Sequence, residues 1–240
     1  MSLLKKIRSD LHEFADPAKA VSLRRFFKTG KGEYGYGDKF LGIVVPAQRS
    51  LAKRYYQEVT FNELGPLLAS KLHEERLLAL LVLVLQYKKA DFLQQEKIFA
   101  FYFANSSGIN NWDLVDLSAP YIVGAHLLDK KKDFLHKLVV SENLWQRRIA
   151  IVSTLYFIRN GFLKETLRLA RKLLRDEEDL IHKAAGWALR EVGKHDFNVL
   201  NDFLARYYCR MPRTMLRYAI ERFPQKMRLS YLRGKIQGRK

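Results

Sequence analysis

Apolar residues recur three and four positions apart along almost the whole chain, the spacing of helices that bury one face. Fourteen segments follow it: 3–15, 17–28, 46–58, 61–70, 73–88, 91–105, 111–127, 131–139, 143–160, 163–175, 178–193, 196–208, 212–222 and 225–232. Short polar, Gly or Pro breaks separate them, such as Asp16-Pro17, Ser106-Ser107-Gly108, Ser141-Glu142-Asn143, Asn160-Gly161, Gly193-Lys194 and Met211-Pro212. No segment alternates apolar and polar positions as a half-buried strand does. The pattern predicts an all-α fold. No stretch has the composition of an interdomain linker, so a single domain over 1–240 is expected.

A weak repeat runs through these helices. Arg76 with Ala79, Arg147 with Ala150 and Lys183 with Gly186 each place a basic residue three positions before a small one, at separations of 71 and 36 residues. The first separation is about twice the second. Helix pairs repeating at that period predict a HEAT-like α-solenoid of stacked antiparallel pairs, curved, with a basic concave face. The one long irregular stretch is 29–46, with glycines at 30, 32, 35, 37 and 42. It lacks the G-x-x-x-x-G-K-S/T spacing and the preceding strand of a phosphate loop. It reads either as a plain connection or as a basic loop that brings Tyr34 and Tyr36 close to a sugar–phosphate backbone.

Charge narrows the partner. Lys and Arg number 43 against 25 acids in 240 residues, a formal charge of +18. Such an excess points to a polyanion, most simply nucleic acid, with an acidic membrane surface as the alternative. The longest apolar run, 77–87, is too short to cross a bilayer, and the N-terminal segment has no signal-peptide core. With 48% hydrophobic residues, general disorder is excluded. One cysteine, Cys209, excludes a disulfide scaffold and a multi-thiolate metal site. The six histidines, His12, His73, His126, His136, His182 and His195, have no ligand spacing and read as structural. A reducing, cytoplasmic location is expected, with no metal or cofactor.

The basic residues fall in stripes. Lys164, Arg168, Arg171 and Arg175 share one helix face, as do Lys183, Trp187, Arg190 and Lys194, and Arg49, Lys53 and Tyr56. Residues 205–240 hold eleven Lys or Arg and one acid, Glu221. One stripe alone is an ordinary solvated face; several on one solenoid suggest a groove for duplex DNA. No base-reading module is present, so low sequence specificity is expected.

Candidate chemistry concentrates in Asn110–Pro120, NNWDLVDLSAP. Asp113 falls in the first helical turn, where the helix dipole is reason enough for a carboxylate. Asp116 lies four residues past Trp112 on the same face. It reads either as an ordinary ion pair or as an electrostatic site beside an indole. The other tryptophans, Trp145 and Trp187, sit beside Arg147 and Arg148 and inside a basic stripe. Each is either core or a contact for sugar or base.

Three separated motifs, N-x-W-D-x-V-D…A-P at 110–120, W-x-R-R-x-A-I at 145–151 and K-A-x-G-W-A-L-R-E at 183–191, resemble the AlkD-type DNA alkylation repair glycosylases, as does 26–46. The resemblance covers nearly the whole chain. It implies a HEAT-like solenoid on duplex DNA and removal of cationic alkylpurines such as 3-methyladenine and 7-methylguanine. Asp116 matches the family's catalytic aspartate, Trp112 and Trp187 its active-site tryptophans, and Arg148 its phosphate-contacting arginine. Arg147, Lys183 and Arg190 are the accompanying phosphate candidates. The resemblance further implies a monofunctional hydrolase that works without flipping the base, as a monomer with no obligate protein partner, in a bacterial cytoplasm. A noncatalytic protein binding distorted or branched DNA is the alternative.

Overall fold

The computed structural model describes residues 1–234. Three of the eleven basic residues counted in 205–240, Lys235, Arg239 and Lys240, lie outside the described residues. Among the described residues the regular structure is helical, apart from one isolated bridge between Lys39 and Leu72. The chain divides into two compact units, Met1–Ile122 and Val123–Lys240.

The first unit holds α1 (Leu3–His12), α2 (Pro17–Phe26), α3 (Val45–Tyr55), α4 (Phe61–Leu68), α5 (His73–Lys89), α6 (Phe92–Ala104) and α7 (Trp112–Ala119). Alternate helices stack, α3 on α5 and α5 on α7, while α4 and α6 pack against α5 from a second layer. That alternation is the layering of a helical solenoid. Helix α5 is the axis of this unit. It is buried from His73 to Leu83, as expected for a helix that is apolar all round.

The second unit begins inside the π turn Pro120–Gly124 and holds α8 (Ala125–Leu127), α9 (Asp133–Leu138), α10 (Leu144–Arg159), α11 (Lys164–Lys172), α12 (Asp179–His195), α13 (Phe197–Tyr207), α14 (Arg213–Ala219) and α15 (Gln225–Leu232). The same alternation recurs. Helices α10, α12 and α14 form one row; α9, α11 and α13 pack against that row. Gly186 makes the α12–α14 approach possible, because a Cβ there would stand 2.5 Å from the Met215 carbonyl oxygen.

Helix positions match the sequence pattern closely, and the differences have local causes. The helix expected over 111–127 ends as α-helix at Ala119 and widens into the π turn. Pro120 has no N–H to give the Asp116 carbonyl, so regular α-helix cannot continue there. The repeat also has a sharper structural form than the sequence suggested. Arg76 donates to the Ser70 carbonyl (2.8 Å) and Arg147 to the Ser141 carbonyl (2.9 Å), each bridging back six residues. His182 makes the same link to the Asp176 carbonyl (2.5 Å). In each case the residue at the start of the link caps an amide two positions on: Leu72, Asn143 and Glu178. The third member of the repeat is therefore His182, not Lys183.

Candidate active site

The first turn of α5, His73-Glu74-Glu75-Arg76, is charged yet buried, so each side chain needs a partner. Glu75 takes Arg8 of α1 at 3.1 Å. Glu74, 1% exposed, accepts the amides of Leu41, Gly42 and Ile43 at 3.0, 2.9 and 3.2 Å. Three N–H donors satisfy the carboxylate and pin the end of the glycine-rich stretch. Gly42 has φ +86°, and a Cβ there would stand 2.0 Å from the Asp16 carbonyl oxygen. The stretch is therefore anchored at its end, while Tyr36 near its middle is 65% exposed.

His73 connects that loop to α7. Its Nδ1 is 3.3 Å from Asp38 and its Nε2 is 2.8 Å from Asp113, and all three side chains are buried. Arg76 forms an ion pair with Asp38 at 2.8 Å. Burial opposes charge on His73, but the hydrogen bonds to Asp113 and Asp38 outweigh it and raise its pKa above the ordinary histidine value. Burial pushes Asp38 up; the His73 hydrogen bond and the Arg76 charge overcome it and hold the carboxyl below its ordinary value.

Aromatic rings cover this cluster. Phe27 stacks on Phe40 (5.1 Å between centroids), on Trp112 (5.2 Å) and, tilted, on His73 (4.9 Å). Phe26 meets Trp112 edge-on at 5.7 Å. Trp112, the first residue of α7, is thus fixed by α2 and the loop as well as by its own helix. Below, the Tyr102 hydroxyl pairs with Ser118 at 3.0 Å. Burial drives the Tyr102 phenol upward, and the nearby Asp116 charge adds to the shift.

Asp116 is half-buried on α7. It shares with Trp112 a cavity of about 540 Å³ in the first unit, walled by Phe26, Phe27, Phe40 and Val44. An apolar wall raises the electrostatic effect of a carboxylate at its edge. Asp113, by contrast, is turned inward to His73 and also accepts the Leu114 amide at 2.9 Å.

The other candidates lie in the second unit. Arg148 is 5% exposed and donates to the Leu180 carbonyl at 2.6 Å. Arg147 pairs with Asp176 (2.7 Å) and donates to the Ser141 and Glu142 carbonyls. Lys183 pairs with Asp179 at 2.7 Å, and Arg190 pairs with Glu221. Trp187 is half-buried on α12, as is Trp145 on α10. Lys164, Arg168, Arg171 and Arg175 are all exposed. Asp116, Arg148 and Lys183 share a register, each five residues past the N-cap of its helix: Asn111, Asn143 and Glu178.

A family model described as DNA alkylation repair enzyme matches residues 7–223. The chain belongs to that family. A solved structure described as a predicted DNA alkylation repair enzyme from Enterococcus faecalis shares the fold, with a TM-score of 0.67 at 17% identity, over 88% of this chain and 97% of that one. No curated protein matches the chain. Membership in the DNA alkylation repair enzyme family gives the protein a role in repair of alkylation damage, with DNA as its substrate class. No helix among the described residues is long and apolar enough to cross a membrane.

Motif reading pointed to Trp112 and Asp116 as candidates but not to what holds them. In the sequence His73 reads only as one of six structural histidines, Phe26, Phe27 and Asp38 fall inside the 26–46 stretch without a role of their own, and Glu74 is not among the candidates. A signal was present: a charged quartet opening a helix that is apolar on every side must itself be buried and paired.

Proposed function

We propose that the protein is a monofunctional DNA glycosylase that hydrolyses the N-glycosidic bond of cationic alkylpurines, such as 3-methyladenine and 7-methylguanine, in duplex DNA without flipping the base. The observation that carries this reading is the placement of Asp116 beside Trp112 at the same apolar cavity, in a chain of net charge +18. A purine alkylated at N3 or N7 already bears positive charge and leaves without strong acid catalysis. Its departure builds positive charge on the deoxyribose. A carboxylate held near C1′ stabilises that charge and orients the attacking water. Trp112, at the same cavity as Asp116, offers an indole face to the electron-poor sugar, and Trp187 is a further candidate indole contact for DNA.

Arg148, Arg147, Lys183 and Arg190 are proposed to contact DNA phosphates. Each already has an internal acceptor: the Leu180 carbonyl, Asp176, Asp179 and Glu221 respectively. Phosphate must displace or share these partners, which favours a strong, doubly charged clamp over single weak contacts. The reading needs neither cofactor nor second subunit.

The test is release of free purine from methylated duplex by pure protein without added metal. Asp116→Asn should slow release of 7-methylguanine by about 100-fold, the scale of losing one preorganised electrostatic group, while still binding DNA. Undiminished release by this variant removes the catalytic role. Binding without release by the native protein supports the noncatalytic alternative.

A further inference from the structure

We propose that His73 is a positioning residue for the excision site, an imidazolium that donates from both ring nitrogens and so ties the first turn of α7, with Trp112 and Asp116, to the loop and to α5. This inference rests on the glycosylase reading above. Its basis is geometric. Asp38 and Asp113 stand on opposite ring nitrogens, at 3.3 and 2.8 Å. Ionised carboxylates only accept hydrogen bonds, so both nitrogens must carry protons. Charge agrees. Asp38 and Asp113 bring two negative charges, and Arg76 supplies one positive charge through Asp38. Only a protonated His73 makes the buried group neutral, which burial requires.

The other charged groups near the ring do not change this balance. Glu74, next on α5, is occupied by three loop amides. Lys19 of α2 is paired with Asp16 at 2.8 Å. Asp116, at the same cavity, adds a further negative charge that favours the imidazolium. The faces of Phe27 and Phe40 lie 4.9 and 4.7 Å from the ring and suit a cation. His73 is not a water-activating group: it is buried, and both its nitrogens are engaged.

The consequence concerns the helix that carries the chemistry. Asp113 is one residue from Trp112 and three from Asp116 on α7. Deprotonation of His73 leaves two buried carboxylates facing one N–H and one lone pair. One bond must fail, and α7 is then free to shift against Phe27, which stacks on Trp112.

Two measurements on the full-length protein test this. Nitrogen-15 NMR of the His73 ring at pH 7.5 should show both nitrogens protonated; one unprotonated nitrogen overturns the proposal whatever the enzyme does. Single-turnover excision of 7-methylguanine, corrected for uncatalysed release at each pH, should fall on the alkaline side with the same midpoint as the His73 titration. Asp113→Asn, which keeps an acceptor and removes the charge, should move both midpoints to lower pH together. His73→Asn should lose about 10- to 100-fold in single-turnover rate, the scale of a small misplacement, with DNA affinity within about twofold of native. An alkaline limb that stays in place in Asp113→Asn, or a His73→Asn rate equal to native, sinks the positioning role while leaving the glycosylase reading intact. A native protein that releases no purine defeats that reading, and the NMR result then stands alone.

Discussion

At the scale of single residues, the site depends on buried groups more than on the exposed ones that suggest function. Gly42 is the clearest case. Its positive φ and the 2.0 Å approach to Asp16 leave no room for a methyl group. Gly42→Ala should lower stability by about 1–3 kcal/mol, measured by urea unfolding, whereas an unchanged midpoint would mean that the loop accommodates a Cβ. His73 and Asp38 set a pH dependence with opposite signs. The raised His73 pKa contributes stability that is complete below about pH 6.5 and is lost as pH rises through the raised value. The lowered Asp38 pKa contributes above about pH 3.9 and is lost as pH falls through the lowered value. The melting-temperature gap between native protein and His73→Asn should therefore narrow from pH 6 to pH 10. A constant gap would show that the histidine's charge contributes nothing.

At the scale of elements, the sequence was most informative where periodicity alone decides. Helices α3 to α6 and α10 to α15 lie within a few residues of their expected positions because the apolar period specifies each one locally, reinforced by side-chain N-caps at α4, α6, α10 and α13. The partners of charged residues were not legible, because stacking chooses them. Arg147 and Asp176 are 29 residues apart, and His73 and Asp113 are 40 apart. Only the packing of alternate helices brings such pairs together. For the same reason, a stripe of arginines does not reveal whether it faces a ligand. Arg171 and Arg175 on and just after α11 make no ion pair among the described residues. Yet α11 belongs to a second layer packed against α10 and α12, and the motif residues Arg148, Trp187 and Arg190 lie on those two helices. The double variant Arg171→Ala/Arg175→Ala should leave the salt dependence of DNA binding within about one half of a unit of the native slope. A slope reduced by about two, the value for two lost phosphate contacts, would instead assign the α11 stripe to DNA.

At the scale of the whole molecule, a charge of +18 on 240 residues must be reconciled with how few candidate DNA contacts are idle. In the second unit the motif cations are committed to Asp176, Asp179, Glu221 and a backbone carbonyl. These partners keep the side chains ordered without DNA, which reduces the entropy lost when phosphate arrives. Binding also releases fewer counterions than the net charge alone suggests, because the ions released are those condensed on the DNA and only the phosphates contacted give them up. The log–log slope of affinity against salt should therefore be negative and set by contacts: about −3.6 for four phosphates at −0.9 each, rather than a value scaled to eighteen charges. With no base-reading element in the chain, undamaged duplexes of unrelated sequence should bind within a few-fold of one another. Titrating labelled duplexes from 50 to 300 mM salt checks both points. A flat response would remove duplex DNA as the polyanion, and a strong preference for one undamaged sequence would require a base contact that no residue singled out here provides.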